Sequence, residues 1–183
     1  MTVTSAFRKT LLWKEDDAMV ETINPSELQV MTSGQIVRIG EIIWREVEVN
    51  RDESPEEAID ATGCVQYTNP EVVKTMPRGK GKKVRVGFFK LDLSKRGGYI
   101  SDDDLQKEYD LRNMESDPYA QMAVNKADPA FTDTNPNGSH WKCPDGKWCY
   151  VLFDRWRGGE RRVIVDRSGR GWRDGWSFAG VSK

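Results

Sequence analysis

The sequence predicts an α+β protein in which short helices pack on antiparallel strands and the C-terminal region forms a three- to four-stranded antiparallel β-meander. Two observations lead to this fold class. In residues 54–126, helix-capping residues occur before and after a segment in which apolar and polar residues alternate as in a strand. In residues 140–183, short segments with the same alternation are separated by residues typical of tight turns. A length of 183 residues fits one domain, or one domain with a small appendage. The apolar fraction of 37% and the charged fraction of 31% indicate a thin core.

The first part of the chain offers few structural signals. Residues 1–30 contain one strong apolar cluster, at residues 11–13, and we interpret them as an N-terminal arm. The α+β body is expected at residues 31–126. It opens with β-branched residues at 35–50, which predict two strands broken near Gly40.

Four helix starts in the body carry a capping residue. Ser54 is followed by proline and then by Glu57, which together predict a capping box and a helix that ends near residue 63. The other three helices are expected to begin after Asn69, Ser101 and Asp117, because these side chains can accept hydrogen bonds from the free N–H groups of a first helical turn. They should end near residues 76, 113 and 126.

Residues 83–93 predict a strand whose alternation changes phase. Val84, Val86 and Phe88 share one face, whereas Phe89 and Leu91 share the other, and a β-bulge near Phe88 explains the change. Residues 127–139 are rich in Asp, Pro, Asn, Thr and Gly, a composition that is typical of a linker.

The C-terminal meander is expected at residues 140–183. A tight turn at residues 144–146 should connect strands at 141–143 and 147–156. Glycines 158 and 159 mark the next turn, Arg161–Arg167 alternates as a strand, and a final strand follows at 176–181. No internal repeat is visible.

Charge and composition exclude some classes of protein. No run of 18 apolar residues is present, which argues against a membrane span, and the N-terminus lacks the features of a secretory signal. Three cysteines argue against a disulfide framework and favour a reducing, cytoplasmic location, although the sequence leaves open whether Cys143 and Cys149 pair. Residues 147–183 carry a net charge of +5 and the rest of the chain −6, which suggests different roles for the two parts.

The sequence contains no convincing catalytic or metal-binding pattern. Catalysis of the Ser-His-Asp or Cys-His type would have to use His140, which is the one histidine and which we interpret as a partly exposed hairpin residue. His140 could join Cys143, Cys149 and Cys64 at a metal, but this spacing is looser than that of zinc sites. The basic run at residues 79–83 lacks the spacing of a phosphate-binding loop. We therefore predict no enzyme, no cofactor and no metal.

The strand Arg161–Arg167 predicts a binding face. Because strand side chains alternate, Val163 and Val165 can face the core while Arg162, Ile164 and Asp166 point outward together. An outward isoleucine between charged residues is typical of a contact surface, and arginine and tryptophan dominate interface hot spots. Trp141, Trp148 and Trp172 are expected in the core. The predicted binding residues are Arg155, Arg157, Arg162, Ile164, Asp166, Ser168, Arg170 and Arg173.

The C-terminal segment WCYVLFDRWRGGERRVIVDRSGRGWRDGWSFAGVSK, within about the last forty residues, resembles the C-terminal variable segment of proteins associated with diversity-generating retroelements. In that family a reverse transcriptase diversifies codons for surface residues while scaffold residues stay fixed. The resemblance implies a ligand-binding role and adds Gly175 to the binding residues. It implies that the diversified positions are Arg162, Ile164, Asp166, Ser168, Arg170, Arg173 and Gly175. The scaffold positions would be Val163, Val165, Trp172, Trp176 and Phe178.

Three functions are compatible with these features. The first is a non-enzymatic module that binds a protein partner through the arginine- and tryptophan-rich C-terminal face. The second is a nucleic-acid-binding protein, in which arginines neutralise phosphates and tryptophans stack on unpaired bases. The third is a structural or accessory protein of a phage particle or similar assembly, stabilised by its neighbours.

Overall fold

The computed structural model describes residues 42–183, which form part of one compact unit. The predicted N-terminal arm at 1–30 and the first strand before Gly40 lie outside the described residues. Within 42–183 no helix is long and apolar enough to cross a bilayer. The mixture of short helices with a large, mostly antiparallel sheet agrees with the predicted α+β class.

Four of the α-helices begin at the predicted capping residues. Ser54 accepts from the backbone N–H of Glu57, and the Glu57 side chain accepts from the Ser54 N–H, so the capping box is formed. Asn69, Ser101 and Asp117 cap the next three helices with their side chains, as predicted. The helices are α1 (Pro55–Asp60), α2 (Pro70–Val73), α3 (Asp102–Leu111), α4 (Pro118–Ala127) and α5 (Phe131–Thr134).

Most strands of this part of the chain belong to one mixed sheet. The strands are β1 (Ile43–Glu48), β2 (Val65–Thr68), β3 (Lys83–Lys90), β4 (Tyr99–Ile100), β5 (Met114–Glu115), β6 (Asn137–Lys142), β7 (Trp148–Arg155), β8 (Arg161–Arg167), β9 (Trp172–Arg173) and β10 (Ser177–Ser182). The large sheet has the order β1-β3-β10-β6-β7-β8-β2, and β5 adds to β10. The pairs β6–β10 and β2–β8 are parallel, whereas the other pairs are antiparallel.

The last strand leaves the meander. Strands β6, β7 and β8 pair consecutively as antiparallel neighbours. The chain then forms β9, which pairs with β4 in a separate two-stranded sheet, and β10 returns to lie between β3 and β6. Phe178 and Ala179 of β10 are buried in the hydrophobic clusters on opposite faces of the sheet. An interior position therefore suits β10, since it has apolar contacts on both faces and backbone partners on both edges.

The structure differs from the linker interpretation of residues 127–139. This stretch contains α5 and the first half of β6, and Phe131, Asn137 and Ser139 are buried. The buried amide of Asn137 is hydrogen-bonded to Gln121 and Asn125 of α4. These polar groups are satisfied within the protein, whereas in a surface loop they would form hydrogen bonds with water. Body and C-terminal strands share one sheet, so the predicted boundary between them does not separate two structural units.

Strand β3 contains no bulge, so this prediction was wrong. Its register with β1 and with β10 is continuous through Phe88. Val86 and Phe88 pack in the cluster beneath α1, α2 and α4, whereas Phe89 packs in the cluster beneath α3. The apparent change of phase arises because helices cover β3 on both faces.

The β6–β7 hairpin is closed by a disulfide bond. Cys143 and Cys149 are joined across the turn, with their Cα atoms 6.2 Å apart, and both residues are buried. This pair settles the question that the cysteine count left open. Cys64 is the free cysteine of the described residues.

We expect reduction of the Cys143–Cys149 bond to lower the free energy of unfolding by about 2 kcal/mol, because a cross-link over a short loop restricts the unfolded chain. Urea denaturation with and without reductant measures this difference. The variant Cys64→Ser is the matched control and should respond to reductant as the wild type does. An identical unfolding curve in both conditions, together with three titratable thiols in the unreduced denatured protein, would contradict the assignment.

Candidate functional site

The alternation in β8 is as the sequence predicted. Val163 and Val165 are each 0% exposed and pack in the cluster beneath α2 and α5, whereas Ile164 is half-buried and Asp166 is exposed on the opposite face. Arg162 lies on that same opposite face. The interior is therefore on the valine side, and the arginine, isoleucine and aspartate lie together on the other.

Strand β2 extends this surface. In the parallel β2–β8 pair, Val65 lies beside Arg162 and Tyr67 beside Ile164. Val65 and Tyr67 are 40% and 53% exposed, although both are large apolar or aromatic side chains. Trp156, directly after β7, is 52% exposed. We define the outer face as five apolar or aromatic side chains around Arg162, namely Val65, Tyr67, Leu152, Trp156 and Ile164.

Arg162 organises the outer face. Its Nε donates to Asp154 Oδ1 at 2.8 Å, and its Nη2 donates to the second carboxylate oxygen. The guanidinium carbon lies 4.1 Å from the ring centroid of Trp156 and 5.8 Å from that of Tyr67. Hydrogen bonding to Asp154 raises the pKa of Arg162. Only 13% of the Arg162 side chain is exposed. Arg162 therefore holds the two rings in place, and the rings are the groups that are accessible to solvent.

The structure does not bring all predicted arginines to this face. Arg155 is paired with Arg161 at the ends of β7 and β8, and both form ion pairs with Asp133 of α5 on the valine side of the sheet. Arg157 is exposed in the turn between the two strands. The reason is again the alternation, since odd-numbered residues of both strands point away from the outer face.

A cleft of about 420 Å³ lies beside the outer face. We call it the arginine cleft. Its wall contains Tyr150, Leu152, Arg167, Ser168, Gly169, Arg170, Gly171, Trp172, Arg173 and Trp176. The wall therefore contains three of the predicted binding residues, Ser168, Arg170 and Arg173. The predicted residues Asp166 and Gly175 are near them in the sequence but do not line the cleft.

Three aromatic rings shape the arginine cleft. Tyr150 and Trp176 stand at 71° and 78° to the ring of buried Trp172, with centroids 5.7 Å and 6.2 Å away. Trp172 itself rests on Gly138, where a Cβ atom would lie 2.6 Å from the indole ring. The absence of a side chain at residue 138 is therefore what allows Trp172 to lie against β6.

The charge in the wall of the cleft is positive. Arg167 forms an ion pair with Asp145 at 2.7 Å. The Arg170 and Arg173 side chains are exposed, and neither guanidinium group makes a hydrogen bond or an ion pair with any residue in 42–183. Asp166 lies opposite Tyr150 in the β7–β8 register, just outside the wall. Burial, and then the nearby carboxylates, raise the pKa of Tyr150, so its hydroxyl stays protonated and can donate a hydrogen bond.

Buried Asp102 fixes the cleft from behind. Its Oδ1 accepts from Trp172 Nε1 at 2.8 Å and lies 3.0 Å from His140 Nδ1, and Ser168 Oγ donates to its Oδ2. Burial raises the pKa of Asp102, but the hydrogen bonds from His140, Ser168 and Trp172 outweigh burial and lower it overall. Asp102, the first residue of α3, therefore fixes the positions of Ser168 in the loop after β8 and of Trp172 at the floor of the cleft.

His140 is buried rather than partly exposed, so that expectation was wrong. It is 1% exposed and stacks between Trp148 and Tyr109, with ring centroids 4.4 Å and 5.4 Å away. Trp148 is only half-buried, which corrects its expected place in the core, whereas Trp141 and Trp172 are buried as expected. His140 faces the hydrophobic cluster beneath α3, because even-numbered residues of β6 lie on the face that α3 covers.

Sequence reasoning missed the role of Asp102. The sequence identified only Ser101 at this helix start, and the Ser101 hydroxyl does donate to Asp104. Asp103 accepts from Trp148 Nε1 at 2.9 Å, and Asp102 accepts from Trp172. The available signal was the number of tryptophans, because each buried indole N–H requires an acceptor.

Other concave or ligand-like features are less suited to selecting a ligand. A groove of about 740 Å³ between β1 and α4 carries three lysines and three glutamates, so its formal charges cancel. No group of three potential metal-ligating side chains occurs within the described residues. Cys143 and Cys149 are joined to each other, and His140 faces Asp102.

Comparisons with protein-family models, with curated proteins and with solved structures gave no match to this chain. Function must therefore be inferred from the outer face and the arginine cleft.

Proposed function

We propose that this protein is a non-enzymatic binding module that recognises a protein partner through the outer face. The observation that carries the proposal is the exposure of Tyr67 and Trp156, at 53% and 52%, beside half-buried Leu152 and Ile164. Large exposed aromatic groups in a contiguous apolar patch are typical of protein-binding surfaces.

Contacts within the protein already support two rings of the outer face before any partner binds. Arg162 is held by both oxygens of Asp154 and lies against the rings of Trp156 and Tyr67. Ordering a flexible side chain on binding costs about 0.5–1.5 kcal/mol, and rings that are already fixed avoid much of that cost. Arg162 thus supports binding by holding the contact rings, with its own charge largely neutralised by Asp154.

The resemblance to retroelement variable proteins supports a ligand-binding role. The positions that it implies are diversified include Arg162, Ile164 and Asp166 on the outward side of β8, and they continue into the loop that lines the arginine cleft. The implied scaffold positions Val163 and Val165 are buried. Variation at the outward positions would change a contact surface without changing core packing.

The hydrogen-bonding pattern around Asp102 favours binding over catalysis. A Ser-His-Asp triad needs the histidine between the hydroxyl and the carboxylate, so that the imidazole removes the hydroxyl proton. Here Ser168 donates to Asp102, and Asp102 lies between Ser168 and His140. The serine is therefore not activated as a nucleophile.

A cytoplasmic location remains a prediction from the cysteine count. The Cys143–Cys149 disulfide argues against it, because such bonds are typical of oxidising compartments.

Substitutions on the outer face should abolish partner binding without unfolding the protein. We expect Trp156→Ala or Ile164→Asp to weaken binding about 30-fold or more, the effect of losing a hot spot worth about 2 kcal/mol. Leu111→Ala is the matched control, because Leu111 is 66% exposed at the end of α3, away from the outer face. The measurement is quantitative capture of host proteins on the immobilised wild type and each variant, with melting temperatures recorded in parallel.

A supporting result is a protein that the wild type and Leu111→Ala retain and that both outer-face variants lose. The proposal fails if the retained proteins are the same for all four chains. It also fails if Trp156→Ala and Ile164→Asp lose partners only because their melting temperatures collapse.

A further inference from the structure

The arginine cleft is a second site beside the outer face, with which it shares the Leu152 side chain. We propose that it binds a nucleoside phosphate, with the base among the aromatic rings and the phosphate on Arg170 and Arg173. A volume of about 420 Å³ is within the range of about 300–1,000 Å³ that small-molecule sites occupy. The proposal does not depend on the outer face binding a protein.

The aromatic geometry fits a planar ring. Tyr150 and Trp176 rise from Trp172 at steep angles, both line the cleft, and both are only half-buried. Leu152 adds an apolar side chain to the same wall. Stacking of a base on an aromatic side chain contributes about 1–3 kcal/mol and works for every base, since each base has a π-face.

The positive charge in the wall of the arginine cleft favours an anionic ligand over a cationic one. An arrangement of three aromatic rings could also hold a quaternary ammonium group. The wall of this cleft contains no carboxylate, and since Arg167 is paired with Asp145, Arg170 and Arg173 supply the positive charge that favours an anionic ligand. Arg170 and Arg173 are unpaired within the described residues, which leaves their guanidinium groups available for the two-pronged contact that phosphate oxygens accept.

The support for the site is rigid, as a selective site requires. Asp102 fixes the loop through Ser168 and the floor through Trp172, and Gly138 provides the space in which the indole lies. The loop at Gly169 and Arg170 is exposed, so a phosphate there can be terminal or can continue into a strand. A free nucleotide and a nucleotide within single-stranded nucleic acid therefore share the required chemistry.

Titration of the full-length protein with defined probes tests the proposal. The probes are the nucleoside 5′-monophosphates, a nucleoside, inorganic phosphate, a single-stranded oligonucleotide and a phosphotyrosine peptide, followed by calorimetry and tryptophan fluorescence. We expect a nucleotide or the oligonucleotide to bind at least about tenfold more tightly than inorganic phosphate or nucleoside, because base stacking and phosphate contacts add.

Variants assign the binding to the cleft. Arg170→Ala/Arg173→Ala should weaken it at least about tenfold, and Trp176→Ala should remove the fluorescence change on stacking. The matched control is Arg157→Ala, because Arg157 is also exposed and unpaired within 42–183 but lies outside the cleft. It should bind as the wild type does at the same ionic strength.

The pattern of binding distinguishes the two sources of the ligand. Equal affinity for a mononucleotide and the oligonucleotide indicates a free nucleotide. Much tighter binding of the oligonucleotide, with an affinity that falls steeply with salt, indicates a nucleic-acid strand. Inorganic phosphate binding as tightly as nucleotide, binding of the phosphotyrosine peptide alone, or an equal loss in Arg157→Ala would each overturn the proposal. So would the absence of binding to every probe at low salt.

Discussion

Asp102→Ala is expected to lower the free energy of unfolding by about 3–5 kcal/mol, because each buried donor that loses its acceptor costs about 1–3 kcal/mol. The change would leave Trp172 Nε1, Ser168 Oγ and His140 Nδ1 without their shared acceptor in the interior. For a chain of this size each kcal/mol corresponds to about 2–4 °C in melting temperature, so we expect a decrease of about 10 °C. Urea and thermal denaturation measure both quantities.

Asp102→Asn is the matched variant, since it keeps the shape and loses the charge. The folded-state pKa of Asp102 is lowered, so its charge stabilises the fold above the unfolded-state pKa of about 4, and this contribution is lost as pH falls further through the folded value. The difference between wild type and Asp102→Asn should therefore be constant from about pH 7 to 5 and shrink below about pH 4. A difference that grows on acidification would contradict this assignment.

Gly138→Val is expected to destabilise the protein by about 3–5 kcal/mol, comparable to the loss of a buried aromatic side chain. A Cβ at this position would lie 2.6 Å from the Trp172 ring, which cannot yield easily because Asp102 holds its N–H and Phe178 packs against it at 5.3 Å. Strand propensity alone favours valine over glycine, so it predicts the opposite sign. The free energy of unfolding decides between the two.

Gly169→Val is the control for Gly138→Val. Gly169 lies in the exposed loop of the arginine cleft, and a Cβ there would have no atom within 4 Å. We expect a change within about 0.5 kcal/mol, the ordinary range for a surface substitution. Equal stability of all three proteins would mean that Trp172 can leave Gly138 without cost, and that the floor of the cleft is not fixed by this contact.

Local features of the fold were predictable because their causes are local. A capping side chain such as Ser54 acts on N–H groups two or three residues away, so the residues that define the helix start are adjacent in the sequence. The same is true of β8, where alternation alone places Val163 and Val165 inside and Ile164 on the other side. The outer face was identified for this reason.

The errors concern contacts between distant residues. Tyr67 and Trp156 were not predicted as binding residues, because the exposure of Tyr67 depends on the parallel pairing of β2 with β8. Arg155 was predicted as a binding residue, but it lies on the valine side of the sheet and pairs there with Asp133 of α5. Residues 127–139 looked like a linker because the buried Asn137 finds its hydrogen-bond partners, Gln121 and Asn125, only when α4 lies beside β6.

The sequence by itself determined the helix starts, the inward valines of β8 and the concentration of arginine and tryptophan in the last 37 residues. Only the tertiary structure decided that Asp102, His140, Ser168 and Trp172 meet, since these residues come from α3, β6, the loop after β8 and β9. It also decided that β10 lies between β3 and β6. The physical reason is that capping and alternation act over a few neighbouring residues, whereas the satisfaction of a buried carboxylate depends on which distant donors the packed sheet brings to it.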